Sequence, residues 1–115
     1  MDAEYIRQYC LGKKQVTEGF PFGNETLVFK VKEKVFLLLS LNAEVLTFNA
    51  KCDPVHAIEL REQYDAIQPG YHMNKTHWNT VTVDGSISTK LIKELIDESY
   101  SLVVQSLPKK QQQDL

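Results

Sequence analysis

Between Thr26 and Lys51 three apolar segments follow one another so closely that few pairings are open to them. Thr26 to Lys32 alternates, with Leu27, Phe29 and Val31 on one face and Val28, Lys30 and Lys32 on the other. That two-residue period is the mark of a strand with one buried face. Val35 to Leu41 is apolar on both faces, as a central strand is. Val45 to Lys51 alternates again, Leu46, Phe48 and Ala50 facing in and Val45, Thr47 and Asn49 facing out. Connections of a few residues favour an antiparallel meander.

Helices are expected on either side of this meander. Ala3, Ile6, Tyr9 and Cys10 recur at helical spacing between a capping Asp2 and a terminating Gly12. Asp53-Pro54 opens a second helix as N-cap and first-turn proline, with Ala57, Leu60, Arg61 and Tyr64 inward and Gln68-Pro69-Gly70 ending the segment. Thr80 to Val83 reads as a short strand. Ser88 caps a last helix whose stripe is Leu91, Ile92, Leu95, Ile96, Ser99, Leu102 and Val103. "GFPFG" at Gly19 to Gly23 reads as a rigid turn pinned by its phenylalanines. The order α-β-β-β-α-β-α describes an α+β domain, an antiparallel sheet with helices packed on one face. Residues 1–107 form one domain and residues 108–115 a polar tail expected to fray.

A chain of 115 residues is long enough for one core without staples. Net charge is −2, and charge is nearly balanced in each third of the chain, which argues against strong non-specific attraction to nucleic acid. Two cysteines, Cys10 and Cys52, fit no zinc spacing, and a reduced, cytoplasmic protein is expected. The acidic N-terminus lacks the pattern of a signal peptide, and the run Val35 to Leu39 is too short to span a bilayer, so no membrane association is expected.

The segment "PGYHMNKTHWNTVTV" concentrates polar chemistry. His72 and His77 are five apart, which puts them on opposite faces of a strand and well apart on a helix, a poor chelating pair. His56 reads as solvent-facing in a first helical turn. No nucleophile elbow, phosphate loop or catalytic carboxylate pair is present in the sequence. No metal, cofactor or catalytic residue is therefore expected. Lys30, Lys32 and Lys34 project from the first hairpin and, with His72, Asn74, Lys75 and His77, supply the candidate basic surface; edge-strand lysines also serve to block edge-to-edge pairing. Trp78 reads as a core anchor or, by the count from Val81 and Val83, as a side chain on the opposite face.

"EGFPFG", "LVFKVKEKVFLLL", "KCDPVHAIELREQY", "PGYHMNKTHWNTV" and "LIKELIDESYSLV", in that order, resemble the MmcQ/YjbR family of small bacterial proteins from Glu18 to Val104. The resemblance implies a CyaY/frataxin-like fold, similar to a double-wing DNA-binding motif, and a DNA-binding role; it implies no catalytic residue and no cofactor. Frataxins bind iron on an acidic ridge, but the first helix here carries only Asp2 and Glu4, so iron is not carried over. Glu33 stands where family sequences place glycine. A left-handed backbone there costs about 1–2 kcal/mol, a wider loop being the alternative. Double-stranded DNA is the partner expected from the resemblance. The alternative is a protein-interaction or small-ligand module in which Tyr71, Met73 and Trp78 leave an aromatic, sulfur-rich patch.

Overall fold

The computed structural model describes residues 1–41 and 44–115. Its elements are α1 (Ala3–Leu11), β1 (Val16–Gly19), β2 (Thr26–Val31), β3 (Lys34–Ser40), β4 (Thr47–Lys51), α2 (Pro54–Gln63), β5 (Ile67–Pro69), β6 (Trp78–Thr82), α3 (Thr89–Gln105) and α4 (Lys109–Gln112). The six strands form one antiparallel sheet in the order β1-β2-β3-β4-β6-β5. The expected meander is its centre. Two short edge strands, β1 and β5, were not legible as strands. Pro69, expected to end a segment, sits in β5, an edge position where its missing N–H costs the ladder nothing.

All three predicted helices start at the predicted caps. Asp2 accepts from the Tyr5 N–H, Asp53 from Val55 and His56, and Ser88 from Leu91. Their apolar faces pack on the side of the sheet that carries Leu27, Phe29, Leu37, Leu39, Phe48, Ala50 and Val81, which closes the core. Cys10 and Cys52 are both buried and free.

A bulge corrects the reading of β3. Phe29 pairs with Leu37 but Lys30 pairs with Val35, leaving Phe36 as the extra residue. Phe36 and Leu37 are both fully buried, and Val35 returns beside Lys30 to the uncovered face. Buried Ser99 on α3 donates to the Phe36 carbonyl and accepts from the Lys51 N–H at 2.7 Å, tying the helix to the bulge and to the end of β4.

In the tail, α4 is a short helix, Leu115 packs against the core, and Lys32 Nζ lies 3.0 Å from Asp114. The β2–β3 connection is a two-residue turn with Lys32 at φ 49° and Glu33 at φ 71°, the signature of a type I′ hairpin. Glu33 thus takes the left-handed conformation and its cost; the wider loop is not formed.

Candidate functional site

The helices cover one face of the sheet and leave the other open. Across the open face run Val28, Leu38, Asn49 and Thr80, with Lys30, Val35, Lys51 and Trp78 in the row nearer the β2–β3 turn. Two loops stand over this face. From the β1–β2 connection comes Phe22. From the β5–β6 connection come Tyr71, His72 and Met73. Together with Thr26, Val35, Leu38, Ser40 and Asn49 they enclose a groove of about 500 Å³.

The aromatic groups at its margin are displayed rather than buried. Phe22 is 74% exposed and Tyr71 69% exposed, so the phenylalanines of "GFPFG" do not pin that turn to the core. The Tyr71 and His72 rings lie 3.9 Å apart between centroids. His72 itself has φ 59°, a left-handed backbone that an L-residue adopts at some cost.

The β5–β6 loop is held by specific bonds. The Gly70 N–H donates to the Trp78 carbonyl at 2.8 Å, and a Cβ at Gly70 would lie 2.9 Å from Trp78 atoms, so only glycine fits there. The Tyr71 N–H donates to Thr80 Oγ1 at 2.9 Å. Arg61 on α2 reaches under the loop, donating to buried Asn79 Oδ1 at 2.7 Å, to the Trp78 carbonyl at 3.3 Å and to the Lys75 carbonyl. Arg61 reads in the sequence as an inward-facing helix residue; its role as loop anchor depends on a partner 18 positions away.

The seven candidate basic-surface residues divide. β2, β4 and β5 run one way and β1, β3 and β6 the other, so the β2–β3 turn and the β5–β6 loop lie at the same end of the sheet. Lys34, His72 and His77 are exposed there, and Lys30 is half-buried on the open face. Lys32 is turned to Asp114, and Lys75 Nζ donates to the Gly70 carbonyl at 3.2 Å. Asn74 builds the loop, its Oδ1 accepting from the Thr76 N–H and its carbonyl from the Trp78 N–H. Trp78 is half-buried and shares the uncovered face with Thr80, so it is not a core anchor.

A second constellation lies on the helix side. Cys52 follows β4, His56 sits in the first turn of α2, and Glu98 comes from α3. His56 Nδ1 is 2.9 Å from Glu98 Oε1, Cys52 Sγ is 3.5 Å from His56 Nδ1, and the thiol donates to Glu98 Oε2 at 3.4 Å. His56 is therefore half-buried and partnered, not simply solvent-facing. Burial, reinforced by the Glu98 carboxylate, pushes the Cys52 thiol up to about 12. A protonated, 4% exposed thiol is a poor nucleophile. Cys52 and His56 are four apart in the chain, and their third partner is 42 positions beyond His56, which is why the group is invisible to spacing.

The chain is thus an α+β domain with helices on one face of an antiparallel sheet and an aromatic-rimmed groove on the other. The model of the family described as YjbR matches residues 11–102, and this chain belongs to that family. It is 43% identical over 93 residues to the protein YbdF of Escherichia coli O157:H7, covering 81% of this chain and 76% of that one. It is 31% identical over 108 residues to the protein YjbR of Escherichia coli K12, covering 94% and 92%. Among solved structures, a Deinococcus radiodurans protein described as a DUF419 domain superposes with TM-score 0.92 at 38% identity, covering 96% of this chain and 85% of that one. A Pseudomonas syringae protein superposes with TM-score 0.77 at 28% identity, covering 89% and 98%. Among the described residues no helix is long and apolar enough to cross a membrane.

Proposed function

We propose that this chain is a non-catalytic DNA-binding protein that works through the uncovered sheet face and the rim at the β2–β3 end. The observation that carries the reading is the pair Phe22 and Tyr71, both mostly exposed on either side of one groove. Exposed aromatic side chains on a sheet face serve as stacking platforms for bases, each stack being worth about 1–3 kcal/mol. At the rim, Lys34 on the wing-like hairpin, Lys30 beside it, and His72 and His77 on the neighbouring loop meet phosphates, which fix register without reading sequence. Lys75 and Lys32 join them by giving up their contacts to Gly70 and Asp114. The family resemblance points the same way.

A second reading, a protein-interaction module, has its own support. The groove is floored by Val35 and Leu38, and the rim mixes Lys34 with Glu33 and Asp114. Such a surface takes the apolar side chains of a partner chain as readily as bases.

The two readings part on titration of fluorescent duplex and single-stranded DNA at several salt concentrations. A protein contacting about four phosphates gives a log K versus log salt slope near −3.6 on duplex. Lys34→Ala is expected to flatten that slope by about 0.9, and Phe22→Ala with Tyr71→Ala to weaken single-strand binding at least tenfold. Failure to bind either form at low salt removes the DNA reading and leaves the protein partner.

A further inference from the structure

We propose that Cys52, His56 and Glu98 form a binding site for a zinc-like divalent transition metal, the three side chains supplying one ligand atom each and water the fourth. The site is separate from the groove and stands whether or not DNA is bound there. Among the described residues these three bring their ligand atoms within 4.8 Å of one another.

The spacing already resembles that of a coordinated ion. With zinc bonds of ordinary length, tetrahedral geometry sets sulfur–nitrogen, sulfur–oxygen and nitrogen–oxygen separations of about 3.4–3.6 Å. The Sγ to Nδ1 separation of 3.5 Å already matches. The two carboxylate contacts run to different oxygens, Sγ to Oε2 at 3.4 Å and Nδ1 to Oε1 at 2.9 Å, so the Glu98 carboxylate must turn to present one oxygen to the ion, all three ligand atoms already lying within 4.8 Å of one another. An ion replaces the hydrogen bonds that now join the groups: the thiol proton leaves to solvent, and the imidazole coordinates through Nδ1 as its Nε2–H tautomer.

Ligand chemistry and charge select the ion. Thiolate and imidazole together disfavour calcium and magnesium, which take oxygen shells, and suit zinc. A thiolate and a carboxylate around a dication leave the site neutral, which suits a half-buried position. Access is on the His56 side, whose side chain is 43% exposed against 25% for Glu98. The ligands are also held from behind. The Cys52 N–H donates to the His77 carbonyl at 2.7 Å, the Asp53 N–H orients Glu98 Oε2 at 3.0 Å, and Asp53 caps the turn that carries His56. Such supports fix ligand geometry before the ion arrives.

The opposing possibility is that the trio only fastens α2 to α3. Chelator-stripped full-length protein titrated with Zn²⁺ by calorimetry, and with Co²⁺ by absorption, separates the two. One equivalent of each ion is expected, with a thiolate-to-cobalt charge-transfer band. Cys52→Ser should abolish the band and weaken zinc binding more than about a hundredfold, beyond the 10–100-fold that an outer-shell loss causes. Glu98→Gln and His56→Asn, which keep hydrogen-bonding capacity, should each weaken it at least tenfold, and Cys10→Ser should leave both readouts unchanged. Circular dichroism of each metal-free variant verifies folding, and Glu98→Gln and His56→Asn decide the matter should Cys52→Ser not fold. Absence of stoichiometric binding, or binding indifferent to the folded site variants, overturns the proposal.

Discussion

The three histidines of this chain divide between two regions that behave oppositely. His72 and His77 sit close together in a segment crowded with polar residues, yet they are exposed and, among the described residues, joined to no common partner. His56 stands alone in the sequence, yet it meets a thiol and a carboxylate. The difference lies in the elements that carry them. The β5–β6 loop displays its side chains over an open sheet face, whereas the β4–α2 junction is pressed against α3. Proximity in sequence served the loop's backbone; chemistry converged where three separate elements meet.

The largest expected effect bears on the buried thiols, one of them at the junction and the other in α1. Cys52 and Cys10 are both held near 12, chiefly by burial, against about 8.5 for an unfolded thiol. Because the folded values are raised, the native chain binds more protons than the unfolded one between the two limits. This stability is complete below about pH 8.5 and is lost as pH rises towards 12. Urea denaturation from pH 7 to 11 should show a loss on the order of several kcal/mol. A flat profile would mean that the thiols are not so buried, and the contrast with the exposed loop would fall.

Next in size is the loop's own anchor. Arg61→Ala removes charge-assisted bonds to the Asn79 side chain and to the Lys75 and Trp78 carbonyls and leaves buried Asn79 short of a donor. The expected cost is about 3 kcal/mol. Hydrogen exchange should show residues 70–77 losing protection first; uniform loss across the sheet would make Arg61 a general core residue instead. Gly70→Ala follows, at about 2 kcal/mol, since its Cβ would meet the Trp78 backbone at a distance real contacts do not show. A stability loss by urea denaturation below a few tenths of a kcal/mol would show that the loop lifts off without consequence.

Smaller again is the direct comparison of the histidines. His56→Ala should cost about 1 kcal/mol, through the lost bond to Glu98, while His77→Ala, which keeps the backbone bonds that His77 makes to Asn74 and Cys52, should stay within about 0.5 kcal/mol. Equal thermal shifts in the two variants would erase the distinction between the regions.

The sequence shows what rests on periodicity and caps. The three central strands, the helix starts at Asp2, Asp53 and Ser88, and the inward stripe of α3 all follow from spacing within one element. Features set by other elements stay hidden. β1 and β5 are four and three residues long, too short for a pattern. The bulge at Phe36 looks like two-sided apolarity, and Leu115 gives no sign that a polar tail returns to the core. The same limit applies to the sites. The polar richness of Pro69 to Val83 is evident in sequence, but whether Lys32 and Lys75 are free depends on Asp114 and the Gly70 carbonyl. The exposure of Phe22 depends on which face the helices leave open. The Cys52 group requires knowing that α3 crosses the end of β4.

The smallest expected effect has the opposite sign and tests whether the loop is shaped for binding. His72 holds φ 59° on the margin of the groove, with its ring against Tyr71. Glycine accepts that backbone without the 1–2 kcal/mol penalty of an L-residue, though its unfolded chain is freer by roughly 0.4–1 kcal/mol. His72→Gly should therefore leave stability unchanged or raise it by up to about 1 kcal/mol. It should also weaken whatever the groove binds, because the ring that packs at a tilt against Tyr71 is gone. A strained residue whose removal stabilises the fold and harms binding is kept for its side chain. If His72→Gly instead destabilises the protein, the ring pair belongs to the architecture of the loop, and the contrast between a displayed region and a converged one narrows to Phe22 and Tyr71.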